Sequence, residues 1–175
     1  MRVLVTGETG FIGRNLPRSF DKLGHQVVSI INSDVVVEAL PTGEPCVHRN
    51  CESAWRDEIQ LNKIDLVIHN AATVGTDVVA LYPKEACLTN VTGAYTISRA
   101  ANAAGVPVCY IGTTVIYDTS KYQDRDIVED SDLGPQTLYG GLKLAGEQII
   151  RAQCDRWMIL RPLFAYGGVG DMSSL

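Results

Sequence analysis

Val3-Leu4-Val5-Thr6-Gly7-Glu8-Thr9-Gly10-Phe11-Ile12-Gly13 runs from a short apolar stretch into three glycines set three residues apart, and from there into a segment with helical periodicity. A strand that turns directly into a helix through such a loop needs glycine for separate reasons. The tight turn wants freedom in φ, a phosphate drawn close to the main chain wants no Cβ, and the helix must pack near the strand. Amides at the head of the helix would then face negative charge. The triplet alone is a weak signal that many turns imitate. Its place between strand and helix, at the N-terminus, favours dinucleotide binding over a purely structural turn. Gly7, Thr9, Gly10, Phe11, Ile12 and Gly13 are the candidate contacts.

Working outward, short runs rich in Val and Ile recur between longer helical segments, the pattern of a parallel sheet wrapped on both faces by helices. Strands are expected at Arg2–Thr6, Gln26–Ile31, Cys46–Arg49, Asp65–His69, Pro107–Ile111 and Trp157–Leu160. Most are continuously apolar, as strands covered on both faces should be. Helices are expected at Phe11–Leu23, Ser53–Leu61, Tyr82–Ala104 and Thr137–Gln153, with Pro17 forcing a kink or shift in the first. The stretch Asp118–Gly134, with six carboxylates and two cations, reads as a surface loop. The fold class is α/β, a doubly wound parallel sheet of the Rossmann type.

Composition narrows the function classes. The chain has 175 residues, 46% hydrophobic and 20% charged, which suits a globular core. A net charge of -5 gives no electrostatic footprint for nucleic acid or an anionic membrane. No apolar run approaches the roughly 20 residues of a membrane span, and no signal-peptide core follows Met1, so a cytoplasmic setting is expected. Five cysteines without a CxxC pair argue against a disulfide framework or a metal site.

Two further clusters bear chemistry. Tyr139 and Lys143, four residues apart near the start of a helix, share a face, so the ammonium can stabilise a phenolate for acid/base work. Alone, such a pair is usually a solvated helical face. Thr113, just past an expected strand, sits where open α/β sheets bind ligands, although a β-branched strand residue is the plain alternative. Asp34 lies near the distance at which an acid contacts the adenosine ribose, and equally reads as a turn or cap residue. With no Lys or Arg between Gln26 and Asp34, NAD is favoured and NADP left open.

Taken together, these residues make the chain resemble the extended short-chain dehydrogenase/reductases, in particular the NAD-dependent epimerase/dehydratase group acting largely on nucleotide sugars. Thr6–Gly13 fits TGxxGFIG, Tyr139 with Lys143 fits YxxxK, Asn90-Val91-Thr92-Gly93 fits NVxG, and Arg161-Pro162 with Tyr166-Gly167 fits RPxxxYG. Asn70-Ala71-Ala72 resembles the segment that passes beside the cofactor. The resemblance implies that Tyr139 is the acid/base, that Lys143 holds the nicotinamide ribose and tunes Tyr139, and that Thr113 binds the reacting oxygen. It adds Asn32, Asn50, Ala71, Ala72, Asn90 and Pro162 as cofactor contacts, with Asn32 and Asn50 standing where the family usually has Asp.

Departures from the family pattern narrow the reaction. Thr114-Val115 stands where sugar dehydratases have an Asp-Glu pair, which disfavours elimination of water. The GDP-fucose synthases, which the Thr113 region also resembles, have a Cys at Val115 and a later His that this chain lacks, so carbon epimerisation has no bases. What the resemblance implies is a nucleotide-sugar 4-epimerase working through a transient keto intermediate. The alternatives are a net NAD(P)H-dependent ketoreductase, or a non-catalytic dinucleotide-binding regulatory protein. It also implies a homodimer paired through helices at 82–104 and 137–153. Residues 1–160 are expected to form the NAD(P)-binding domain and 161–175 the start of a substrate-binding lobe that is largely absent.

Overall fold

The computed structural model describes residues 1–29, 38–39, 45–46, 51–122 and 126–167. Five strands form one parallel sheet: β1 (Arg2–Thr6), β2 (Gln26–Ser29), β5 (Leu66–His69), β6 (Val108–Ile111) and β7 (Trp157–Leu160), in the order β2-β1-β5-β6-β7. The register sets Val3 beside Val27 and Leu66, Val67 beside Val108, and Val108 beside Trp157. Chain order reverses at β1, so β1 and β5 flank the switch point where such sheets bind ligands beyond their carboxyl ends. This is the doubly wound Rossmann architecture expected from the apolar runs.

Side chains leave each strand alternately, so one apolar run supplies two cores. Leu4, Val67, Val108 and Tyr110 face one way, where they meet α2 (Glu52–Leu61), α5 (Gly93–Ala103) and α6 (Leu138–Gln153). Trp55 and Ile59, one turn apart, are the buried pair of α2, and Ala94, Ala100 and Ala101 let α5 lie close between its neighbours. Each large side chain buried here is worth about 2 kcal/mol. Val3, Val5, Ile68 and Cys109 face the other way, against Leu16 and Phe20 of α1 (Leu16–Lys22). β7 ends the order, and Trp157, Met158 and Leu160 are exposed.

Several boundaries differ from the sequence expectation. The segment from Phe11 is not one helix to Leu23: a 3-10 turn covers Gly13–Asn15 and α1 begins only at Leu16, which puts Pro17 in the first turn, where its missing N–H costs nothing. The long helix from Tyr82 divides into α4 (Pro83–Cys87), a π turn (Leu88–Thr92) and α5. An additional helix, α3 (Thr76–Leu81), follows Gly75 at φ 90, and no apolar periodicity announces so short an element. Cys46, expected in the main sheet, belongs instead to a separate antiparallel ladder of β3 (Glu38–Ala39) with β4 (Pro45–Cys46); 47–49 lie outside the described residues. The 118–134 loop carries a 3-10 turn at Thr119–Lys121 and a bridge between Tyr117 and Leu133. No helix among the described residues is long and apolar enough to cross a membrane. Cys87, Cys109 and Cys154 are free thiols.

Candidate active site

The glycine loop is built by close approach. Gly7 has φ 71, and a Cβ there would lie 2.7 Å from the Ala71 Cα, so only glycine lets the loop touch the segment that follows β5. At Gly13 a Cβ would meet the Gly7 carbonyl oxygen at 2.1 Å. Gly10 is exposed, and its amide closes the turn by donating to the Gly7 carbonyl at 3.1 Å. Arg14 braces the turn by donating to the Thr9 carbonyl at 2.8 Å and the Gly10 carbonyl at 3.3 Å. Phe11 is buried, Ile12 half-buried and Thr9 exposed.

Thr6 ties this loop to the next. Its hydroxyl oxygen accepts from the Asn70 amide at 3.2 Å and the Ala71 amide at 3.1 Å, and Asn70 Nδ2 donates to the Gly7 carbonyl at 3.1 Å. With both amide protons taken there, the Thr6 proton goes to His69 Nδ1, 2.8 Å away, which leaves the ring proton on Nε2. Nε2 is buried without a hydrogen-bond partner among the described residues. Burial, and then the charge of Lys143, push the His69 pKa down to about 3, so the ring is neutral. Ala71 and Ala72 thus form one wall with the glycine loop. Asn90 acts on that wall from behind: its side chain accepts from the Thr73 amide at 2.8 Å and donates to the Thr73 carbonyl at 2.9 Å. Both ends of its side-chain amide are thus bonded to the loop after β5.

The second half of the site lies on α6 and the end of β6. Thr137 caps α6 by accepting from the Gly140 amide at 3.1 Å, which starts the helix two residues before Tyr139. Thr113 stands beside Tyr139, its hydroxyl oxygen accepting from the Val115 amide at 3.4 Å. Burial raises the Tyr139 pKa, and the neighbouring Thr113 hydroxyl pulls it back. Lys143 is only 3% exposed; its Nζ donates to the Ile111 carbonyl at 2.7 Å and stands 4.3 Å over the Tyr110 ring. Desolvation brings its pKa down to about 7, against a smaller upward pull from Glu147. The structure places Thr113, Tyr139 and Lys143 at the same end of the sheet, where β6 meets α6. Pro162 opens a segment that returns to the glycine loop, where Phe164 and Tyr166 face Phe11 and Ile12 across a groove of about 350 Å3. Asn32, Asp34 and Asn50 lie outside the described residues.

Sequence reasoning passed over Thr6, His69, Tyr110 and Glu147. Of these, Glu147 had a signal, because it follows Lys143 by one helical turn on the same face. No group of three or more His, Cys, Asp or Glu among the described residues is placed to hold a metal.

A family model described as the RmlD substrate binding domain matches residues 1–172. The chain belongs to this family. The extended short-chain dehydrogenase/reductase resemblance stands, but within it the RmlD family replaces the epimerase/dehydratase group to which the motifs pointed, since both share the glycine loop and the Tyr-Lys pair. The dTDP-4-dehydrorhamnose reductase of Escherichia coli K12 is 26% identical over 171 residues, covering 98% of this chain and 54% of that protein. The methionine adenosyltransferase 2 subunit beta of Xenopus laevis is 31% identical over 172 residues, covering 98% of this chain and 49% of that one. A crystal structure of a Clostridium acetobutylicum dTDP-4-dehydrorhamnose reductase has a TM-score of 0.82 at 23% identity, over 98% of this chain and 56% of that one. The Bordetella bronchiseptica enzyme WbmG, solved with NAD and UDP, has a TM-score of 0.70 at 28% identity, over 92% of this chain and 52% of that one. This RmlD-family chain spans about half the length of the relatives it matches.

Proposed function

We propose that this chain carries the cofactor-binding and acid/base half of an NAD(P)H-dependent nucleotide-sugar ketoreductase. The observation that carries the reading is the buried Lys143, its Nζ bonded to the Ile111 carbonyl, with Tyr139 and Thr113 beside each other at the end of the sheet where the glycine loop opens. Gly7, Gly10, Gly13, Ala71 and Ala72 supply a wall free of bulky side chains on which a dinucleotide would lie, with Lys143 and Pro162 toward its reactive end. When bound, NAD(P)H supplies the reducing equivalent. Thr113 orients the substrate carbonyl oxygen, and Tyr139 donates its phenolic proton to that oxygen as negative charge develops there. Lys143 stabilises the phenolate left behind.

The sequence pattern favours a 4-epimerase, in which the same three residues act without net redox. The reductase relatives weigh toward net reduction. A pairing of two copies through helices within 82–104 and 137–153 belongs to the same proposal. The test is full-length protein with a panel of nucleotide keto sugars, followed both for NAD(P)H consumption and for epimer formation. Stoichiometric consumption is expected. Tyr139→Phe should lower kcat by about 100-fold or more while cofactor affinity stays unchanged. Interconversion of two epimers without net consumption, or full turnover by Tyr139→Phe, would overturn the reading.

A further inference from the structure

Beyond the three reacting residues, α6 buries a fourth polar group at the same spacing. Glu147, one turn after Lys143, is 1% exposed, and its carboxylate accepts from Arg161 through both oxygens, from Nε at 3.0 Å and from Nη2. A buried charge is tolerated only when paired and hydrogen-bonded, and Arg161, the residue after β7, satisfies it with a fork-shaped donor. The remaining guanidinium nitrogen reaches across the site: Arg161 Nη1 donates to the Tyr117 hydroxyl at 2.6 Å and to the Glu129 carbonyl at 2.7 Å. The pair runs directly under Gly112, where a Cβ would meet Arg161 Cγ at 3.4 Å and Glu147 Oε2 at 3.5 Å. Gly112 separates Ile111, whose carbonyl holds Lys143, from Thr113, which stands beside Tyr139.

We propose that the Glu147–Arg161 pair is the positioning element of this site, tying α6 to the end of β6, to Tyr117 and to Glu129 so that the Lys143 amine is held in place beside Tyr139 and Thr113. Neither residue touches substrate, so both act through Lys143; the inference rests on the reductase reading above for its kinetic consequence but not for its structural one. The groups facing Lys143 are Tyr110 from β6, His69 from β5, and Tyr139 and Glu147 from its own helix, with Arg161 and, at 3.4 Å from Glu147 Oε1, Arg151 behind Glu147. Of these, Glu147 alone is a carboxylate, so it is the one group whose charge favours the ammonium. Removing that charge also leaves the Arg161 cation unopposed nearby, which disfavours the ammonium further.

The test uses full-length protein with 13C-labelled lysine, in which the Lys143 signal is the one missing from Lys143→Met. In Glu147→Gln the Lys143 titration midpoint, near 7 in the parent, should fall by about one pH unit. Turnover needs Lys143 charged, so the alkaline limb of the kcat profile should move to lower pH by the same amount. At pH 7 kcat should drop about fivefold, with KM for the cofactor unchanged. Glu147→Asp, which keeps the charge, should restore part of both. Should Glu147→Gln fail to fold, Glu147→Gln with Arg161→Met removes both charges at similar volume and should show the downward Lys143 shift in a folded protein. A folded Glu147→Gln whose Lys143 midpoint and kcat profile coincide with the parent's overturns the proposal. Full turnover by Tyr139→Phe would instead bring down the reductase reading, and the Lys143 titration would still decide the role of the pair.

Discussion

The two halves of the site are held together by opposite means. The glycine loop, residues 7–13, is exposed at Thr9 and Gly10 and depends on what is missing from it: side chains at Gly7 and Gly13 would strike backbone. The α6 half is closed and depends on what is present, since Lys143 and Glu147 are charged groups at 3% and 1% exposure, each with a named partner. A steric requirement is local and leaves its mark in consecutive residues. A buried charge must be satisfied by whichever residue the fold brings near, and its partners here come from β6, β7 and the loop at Glu129.

Breaking the loop should have the largest effect. Gly13→Ala places a Cβ 2.1 Å from a carbonyl oxygen that Gly10 and Asn70 also bind, so backbone must move. A loss of about 4 kcal/mol in urea unfolding is expected, with loss of NAD(P) binding by titration. Gly146→Ala is the matching break in α6, where alanine in mid-helix would ordinarily stabilise by about 1 kcal/mol. Here the Cβ would lie 2.4 Å from the Tyr110 hydroxyl and 2.7 Å from the Asn90 carbonyl, so the sign reverses. A destabilisation of about 2 kcal/mol is expected by the same measurement.

The buried titratable groups of both halves should also set the pH dependence of stability, in two windows. His69 has a folded pKa of about 3 against an unfolded value of 6.5. Between those values the unfolded chain binds the extra proton, so stability falls as pH drops below 6.5, at up to about 1.4 kcal/mol per unit. Lys143, about 7 folded against 10.5 unfolded, does the same at higher pH: stability rises from about 7 toward 10.5. His69→Gln should flatten the first slope and Lys143→Met the second, read from urea midpoints across pH. The smallest effect belongs to Thr137→Ala, which removes the cap of α6 and should cost about 1 kcal/mol in thermal unfolding.

What the sequence made legible follows the same division. The parallel sheet, the glycine loop and the Thr113, Tyr139 and Lys143 assembly could be read ahead, because apolar runs, glycine spacing and a one-turn separation are short-range patterns. The order β2-β1-β5-β6-β7, the Thr6 hydroxyl shared among Asn70, Ala71 and His69, and the Glu147–Arg161 pair join residues far apart in sequence. No local period encodes them. Helix limits failed where backbone geometry outweighed pattern, at Pro17 and around Asn90. The choice of reaction was least legible, since reduction and epimerisation ask the same of Tyr139.

The π turn at Leu88–Thr92 has the arithmetic of an insertion. A regular helix advances about 100° per residue, so one additional residue in a single turn rotates everything after it by that angle relative to everything before. α4 and α5 are therefore out of phase, which lets Asn90 point its amide at Thr73 while Ala94 and Ile97 keep their faces on the sheet. Deleting a single residue from this turn would restore a smooth helix and detune the two ends together: either the alanine face or the Asn90 contact could be kept in register, but not both.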